Sequence, residues 1–228
     1  MKAKTLFRFL PARAGARTAR GFMLPVSSAM SSQTGLPVDR MLTVLREDVL
    51  PLTQEGVREG NKVFGAAVLR KASLELVIAG TNEEAHNPLL HGEISCLNRY
   101  WTLPGESRPP PAECLFLSSH EPCPMCLSAI AWSGFDNFYY LFSYEDSRDE
   151  FEIPHDLAIL AEVFRCPDGA YADANAYWKS YYLVDLIEQG SQDERARWQE
   201  QVADLRSAYR VLSDHYQDSK QESDIPLA

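Results

Sequence analysis

The sequence predicts a layered α/β domain whose sheet opens with an antiparallel pair and continues in parallel. Three observations carry this. Short apolar runs at 63–69, 74–79, 114–118 and 137–142 read as strands, and helical segments separate them after the second. The first two runs are parted by four residues, Arg70 to Ser73, with Lys71-Ala72-Ser73 as a hairpin turn. The chain has 228 residues, 45% hydrophobic and 24% charged, which is a globular composition rather than a disordered one.

Each element follows from its residues. From Pro37, Met41, Leu42, Leu45 and Val49 recur at helical spacing, with Asp39 near the positive end of the dipole. Pro51 is expected to end or kink that helix. After the hairpin, 80–88 is a polar loop and 91–101 a helix. Three prolines keep 105–111 out of regular pairing. The run CLFLS (114–118) has the make-up of a buried strand, 122–133 of a helix stopped by Gly134, and NFYYLF (137–142) of an aromatic strand. The acidic run 145–152 is expected to be a solvated loop that could cover a pocket. A helix is expected over 156–164 and another over 175–189, where 181–186 is ambiguous between helix and a last strand. In the final helix Trp198, Val202, Leu205, Tyr209, Leu212 and Tyr216 form one apolar stripe, expected to cap the domain's own core. The tail from Gln217 is polar and expected to fray. Trp132, Phe135 and Tyr139 are expected in the core, and His86, His155 and His215 on the surface.

Charge divides the chain. The first 38 residues hold six basic residues (Lys2, Lys4, Arg8, Arg13, Arg17, Arg20) and no acid, whereas 39–228 hold 16 basic and 32 acidic residues. The Arg-rich, acid-free segment 1–36 resembles an organellar transit peptide in composition or a basic tail, and is set aside from the fold. An acidic body is a poor default binder of phosphate backbones. No apolar run approaches the roughly 20 residues that span a bilayer, so no membrane partner is expected. Five cysteines, with only Cys123 and Cys126 close together, do not form a secreted disulfide framework. The protein is therefore expected inside the cell: in mitochondria or plastids if the leader is a transit peptide, otherwise in the cytoplasm.

The chemistry sits in two short segments, His91-Gly92-Glu93 and Pro122-Cys123-Pro124-Met125-Cys126, each opening a helix. A three-residue step at a helix start turns both sulfurs to one side, where the dipole favours thiolate. Two thiolates and one imidazole make three ligands, and zinc takes four, leaving a place for water whose proton is lost near neutral pH. Glu93, two residues from a ligand, can move that proton to a substrate nitrogen. This equipment suits hydrolytic deamination of an aromatic amidine. Alone, the Cys pair could be a redox couple or half of a four-cysteine zinc site; the combination is the H-x-E and P-C-x-x-C signature of zinc deaminases.

At these residues the chain resembles the cytidine and deoxycytidylate deaminase superfamily. His91-Gly92-Glu93-Ile94-Ser95 is similar to the fungal-type cytosine deaminase motif, and the segment from Ser118 to Ile130 to guanine and tRNA adenosine deaminases. Phe64-Gly65-Ala66 and Gly80-Thr81-Asn82 resemble the start of the first strand and a base-binding loop. The family's usual residue at Gly92 is Ala, and Asn82 stands nine residues before His91, closer than usual. The resemblance implies a three-layer αβα sandwich with a mixed sheet over 37–165; the segment beyond it, 166–228, is not matched and is expected from its own residues to be a helical C-terminal extension packed on the domain. The resemblance makes His91, Cys123 and Cys126 ligands of one Zn2+ per chain, Glu93 the proton shuttle, and Asn82 a base-binding residue; Phe64 could stack on a base. The expected activity is hydrolytic deamination of a free nucleobase or nucleoside, guanine or cytosine first, in a homo-oligomer. The alternatives are a tRNA adenosine deaminase and a non-catalytic zinc-bearing subunit.

Overall fold

The structure is a computed structural model, and it describes residues 37–228. The basic leader lies outside the described residues, and with it the transit role. Pro51 does not end the first helix. The chain stays helical through α1 (Val38–Val44), a π-helical turn (Leu45–Val49) and α2 (Leu50–Arg58). Proline lacks an N–H and its ring crowds the preceding turn; the wider π turn just before Pro51 accommodates both. Met41, Leu42, Leu45 and Val49 are all buried, as their spacing predicts.

The sheet has five strands in the order β2-β1-β3-β4-β5. β1 (Gly65–Arg70) pairs antiparallel with β2 (Leu76–Thr81) and with β3 (Cys114–His120). β3 pairs parallel with β4 (Asn137–Phe142), and β4 with β5 (Lys179–Tyr182). The pattern is therefore antiparallel first and parallel after, as the sequence predicts. Side chains alternate between two cores. Ala67, Leu69, Leu117 and Leu141 face α1, α2, α7 (Leu183–Ile187) and α8 (Gln192–Ser219). Ala66, Val68, Phe116 and Phe138 face α3 (Gly92–Thr102) and α4 (Pro124–Trp132). Helices on both faces of a mixed sheet make the three layers.

Four expectations are corrected. Residues 179–182 form a strand, not helix: Tyr181 and Tyr182 stack on Tyr139 and Tyr140 of β4 with centroids 4.5 and 5.1 Å apart, a cross-strand ladder that holds this edge. The acidic run is not a solvated loop. It contains α5 (Tyr144–Asp149), which starts on a capping box between Ser143 and Asp146, and Arg206 of α8 pairs with Asp146 (2.8 Å) and with Glu150. Trp132 ends α4 pointing outward and is 92% exposed. The tail does not fray at Gln217. Its amide donates to the Phe151 carbonyl (2.8 Å), α8 runs to Ser219, and Ile225 is buried.

The apolar stripe of α8 packs on the domain's own core, with Trp198, Leu205, Tyr209 and Tyr216 buried and the Trp198 indole N–H donating to Asp39 (3.0 Å). No helix among the described residues is long and apolar enough to cross a membrane.

His120, at the end of β3, is enclosed by Phe64, Phe142, Phe151 and Tyr209. Burial pushes its pKa down to about 3. An unfolded histidine titrates near 6.5, so the unfolded chain binds the extra proton first. The resulting stability is complete above pH 6.5 and is lost as pH falls toward 3. His120→Phe is expected to flatten the pH dependence of urea unfolding by about 2–3 kcal/mol between pH 7 and 4.5. Parallel profiles for the two proteins would refute the assignment.

Candidate active site

The site lies beyond the carboxyl end of β3, where open α/β sheets place their ligands. His91 is the N-cap of α3 and Cys123 the N-cap of α4, both with extended ψ values (161° and 166°) that turn the chain into the helix. Pro124 follows at the first helical position, where its missing N–H costs nothing. The two helix starts bring His91, Cys123 and Cys126 together, with ligand atoms within 4.8 Å of one another. His91 Nδ1 is 3.5 Å from Cys123 Sγ. Tetrahedral zinc with bonds of about 2.0 Å to nitrogen and 2.3 Å to sulfur needs edges of roughly 3.5 Å, so the donor set and its spacing fit such an ion.

Two glycines allow this closeness. A Cβ at residue 92 would sit 2.6 Å from the Phe64 carbonyl oxygen, and one at residue 80 would sit 2.7 Å from the Cys96 nitrogen. At Gly92 the start of α3 presses directly on the backbone entering β1 and leaves no room for a Cβ.

Glu93 is buried behind the ligands. Its Oε1 accepts from Ser118 Oγ (2.9 Å), and its Oε2 lies 3.3 Å from Cys126 Sγ. Burial, then the charge of Cys123, raises its pKa above the usual carboxylate range. Burial alone would depress His91, but the hydrogen bond and charge of Cys123 outweigh it and hold the imidazole at about 9. Cys123, receiving a hydrogen bond from Cys126, is pushed well below an ordinary thiol. Burial and the neighbouring thiolate push Cys126 up. The loop carrying Cys123 is braced: Tyr171 Oη donates to Glu121 (2.7 Å), and Tyr144 Oη donates to the Pro122 carbonyl (2.5 Å).

A cavity of about 390 Å³ opens on His91 and Cys123, at the small end of ligand-binding pockets. Phe64 lines it, as do Leu89, Met125 and Phe164. Asn82 is fully buried, and both ends of its carboxamide are taken by Glu84: Nδ2 donates to Glu84 Oε2 (2.5 Å) and Oδ1 accepts from the Glu84 N–H (3.0 Å).

Sequence reasoning missed four polar residues of the cavity wall: Lys62, Glu84, His155 and Asp156. His155, expected on the surface, starts α6 (His155–Glu162) inside the cavity. Burial, then the charge of Cys123, raises the Asp156 carboxyl to about 8. The one signal for these two was Pro154, which places the next residues on the first turn of a helix. Pro226 and Leu227 of the tail complete the wall.

Two cysteines and a histidine at paired helix starts, with a carboxylate against them, form a donor set that could hold a metal ion. The profile described as "Cytidine and deoxycytidylate deaminase zinc-binding region" matches residues 44–142. Guanine deaminase of Bacillus subtilis (strain 168) is 28% identical over 101 residues, 43% of this chain and 62% of the relative; the chain thus spans less than two thirds of that protein's length. Guanine deaminase of Nitrosomonas europaea has a similar structure with a TM-score of 0.47 and 21% identity, covering 80% of this chain and 85% of the other. A structure from studies of A-to-I editing by tRNA:A34 deaminases has a TM-score of 0.42 and 19% identity, covering 61% and 96%.

Proposed function

We propose that this chain is a zinc-dependent hydrolytic deaminase of a free nucleobase or nucleoside, of the guanine or cytosine type. The observation that carries the reading is Glu93, a buried carboxylate 3.3 Å from a ligand sulfur. An inert metal-bearing subunit has no use for it.

His91, Cys123 and Cys126 would hold the zinc ion, which supplies a Lewis acid that makes water nucleophilic at neutral pH. Glu93 takes the proton from the attacking water and delivers it to the ring nitrogen beside the amino-bearing carbon. Glu93 then takes the hydroxyl proton of the tetrahedral adduct and gives it to the amino group, so that the carbonyl forms as the C–N bond breaks and ammonia leaves. Ser118 keeps the carboxylate aimed through its hydrogen bond to Oε1. Phe64 offers the base an apolar face in the cavity wall. Asp156 supplies a second carboxyl for N–H groups of the base.

The cavity also favours a small substrate over tRNA. Among the residues lining it, Lys62 is the one Lys or Arg, beside the acids Glu84 and Asp156, whereas an RNA backbone calls for several cations. The exposed aromatic side chains of Trp132 and Tyr177 support assembly with a second copy. Ammonia release across free bases, nucleosides, nucleotides and tRNA tests the reading. Release from a base or nucleoside is expected. Release from tRNA alone, or from none of the panel with zinc loaded, would overturn it.

A further inference from the structure

One wall of the cavity is an ion pair. Lys62 Nζ lies 3.0 Å from Glu84 Oε1, with the two side chains 5% and 3% exposed, and both line the cavity. The pair is built in from several sides. Asn61 ties its loop to the next one by accepting from the Ala85 N–H (2.8 Å), and Asn82 holds Glu84 Oε2. Glu84 Oε1 also lies 3.6 Å from His91 Nε2. A carboxylate behind a ligand imidazole fixes which ring nitrogen faces the metal, so Glu84 is a positioning residue with both oxygens engaged.

Lys62 is not so filled. An ammonium has three N–H donors, and among the described residues Glu84 is its one partner. A cation this buried gains from having its remaining donors met, and they lie at the wall of the substrate cavity. Asn82, the residue whose place in the loop suggests base binding, is fully buried against Glu84 and is not among the residues lining the cavity.

We propose that Lys62 is the substrate-reading donor: it bonds a carbonyl oxygen on the ring of the base, so that the substrate is an amino-base carrying a ring carbonyl. This rests on the deaminase reading above and narrows it. Guanine and cytosine carry such a carbonyl; adenine does not.

The test measures binding without turnover, on the full-length zinc-loaded chain in a Glu93→Gln background. Dissociation constants are compared for guanine against 2-aminopurine, which lacks the 6-carbonyl, and for cytosine against 4-aminopyrimidine, which lacks the 2-carbonyl. With Lys62 present, the carbonyl-bearing member of at least one pair is expected to bind about 10–100-fold tighter, the range for a charged hydrogen bond. With Lys62→Met that preference should fall below about 3-fold. Because Lys62→Met alone strands the Glu84 carboxylate, the double variant Lys62→Met, Glu84→Gln carries the same measurement. A preference that survives both variants, equal binding within both pairs by the Lys62 protein, or no binding of any of the four would overturn the proposal. Ammonia release from the unmodified chain is scored separately, so loss of the deaminase reading and loss of the Lys62 contact give different results.

Discussion

Glu93→Gln is expected to keep the metal and lose about 10²–10⁴-fold of turnover, the share that a positioned proton carrier contributes. The amide is nearly isosteric and can still accept from Ser118 through its oxygen, so the fold around α3 should persist. It cannot take a proton from water. Two features suit the native carboxylate to the task. It is buried, and the charge of Cys123 lies near it, and both raise its proton affinity. The checks are metal content by elemental analysis and kcat on the best substrate from the panel. Full turnover in a zinc-loaded variant would sink the proton-shuttle role.

Stripping the metal has the second large effect. One zinc per chain is expected after purification without chelators, and Cys126→Ala should bring this to near zero and abolish activity. The fold should survive, because both cores lie on the sheet and its helices, and the ligands sit at one end. Its stability should still fall. A ligand that binds only the folded state at about 1,000 times its dissociation constant contributes about 4 kcal/mol. For a domain of this size, that corresponds to a midpoint roughly 8–16 °C lower on chelation. An unchanged melting curve, with metal shown to have left, would mean that the three side chains do not hold it.

Much of this site can be read directly from residue types. Cys123 and Cys126 at one helix start, with His91 and Glu93 at another, announce a metal and a base before any coordinates. Strand 137–142 is equally plain, because the unbroken apolar and aromatic run after Asn137 leaves little choice. What escaped depends on neighbours distant in sequence. Residues 179–182 are a strand because two tyrosines of β4 await them. The run after Ser143 reads as charge, yet its Asp146 closes a capping box. Pro51 sits within helix because the turn before it widens, an adjustment that leaves no mark in the residue pattern. Lys62 and Glu84, 22 positions apart, look like surface charges when only their types are known. Only the closing of two loops makes them a buried pair. Asn82 shows the converse: its type and place suggested a base-binding group, and the structure buries it with hydrogen bonds to Glu84.

The contact between Asp39 and Trp198 joins residues 159 positions apart. The apolar face of α1 and α2 is therefore completed by an element synthesised some 159 residues later. At about 5–20 residues per second, the first helix waits on the order of ten seconds or more for that cover. Such long-range closure also slows folding, because the chain must be brought together before the contact repays it. During that interval the face formed by Val38, Leu42 and Leu45 is a natural target for a chaperone.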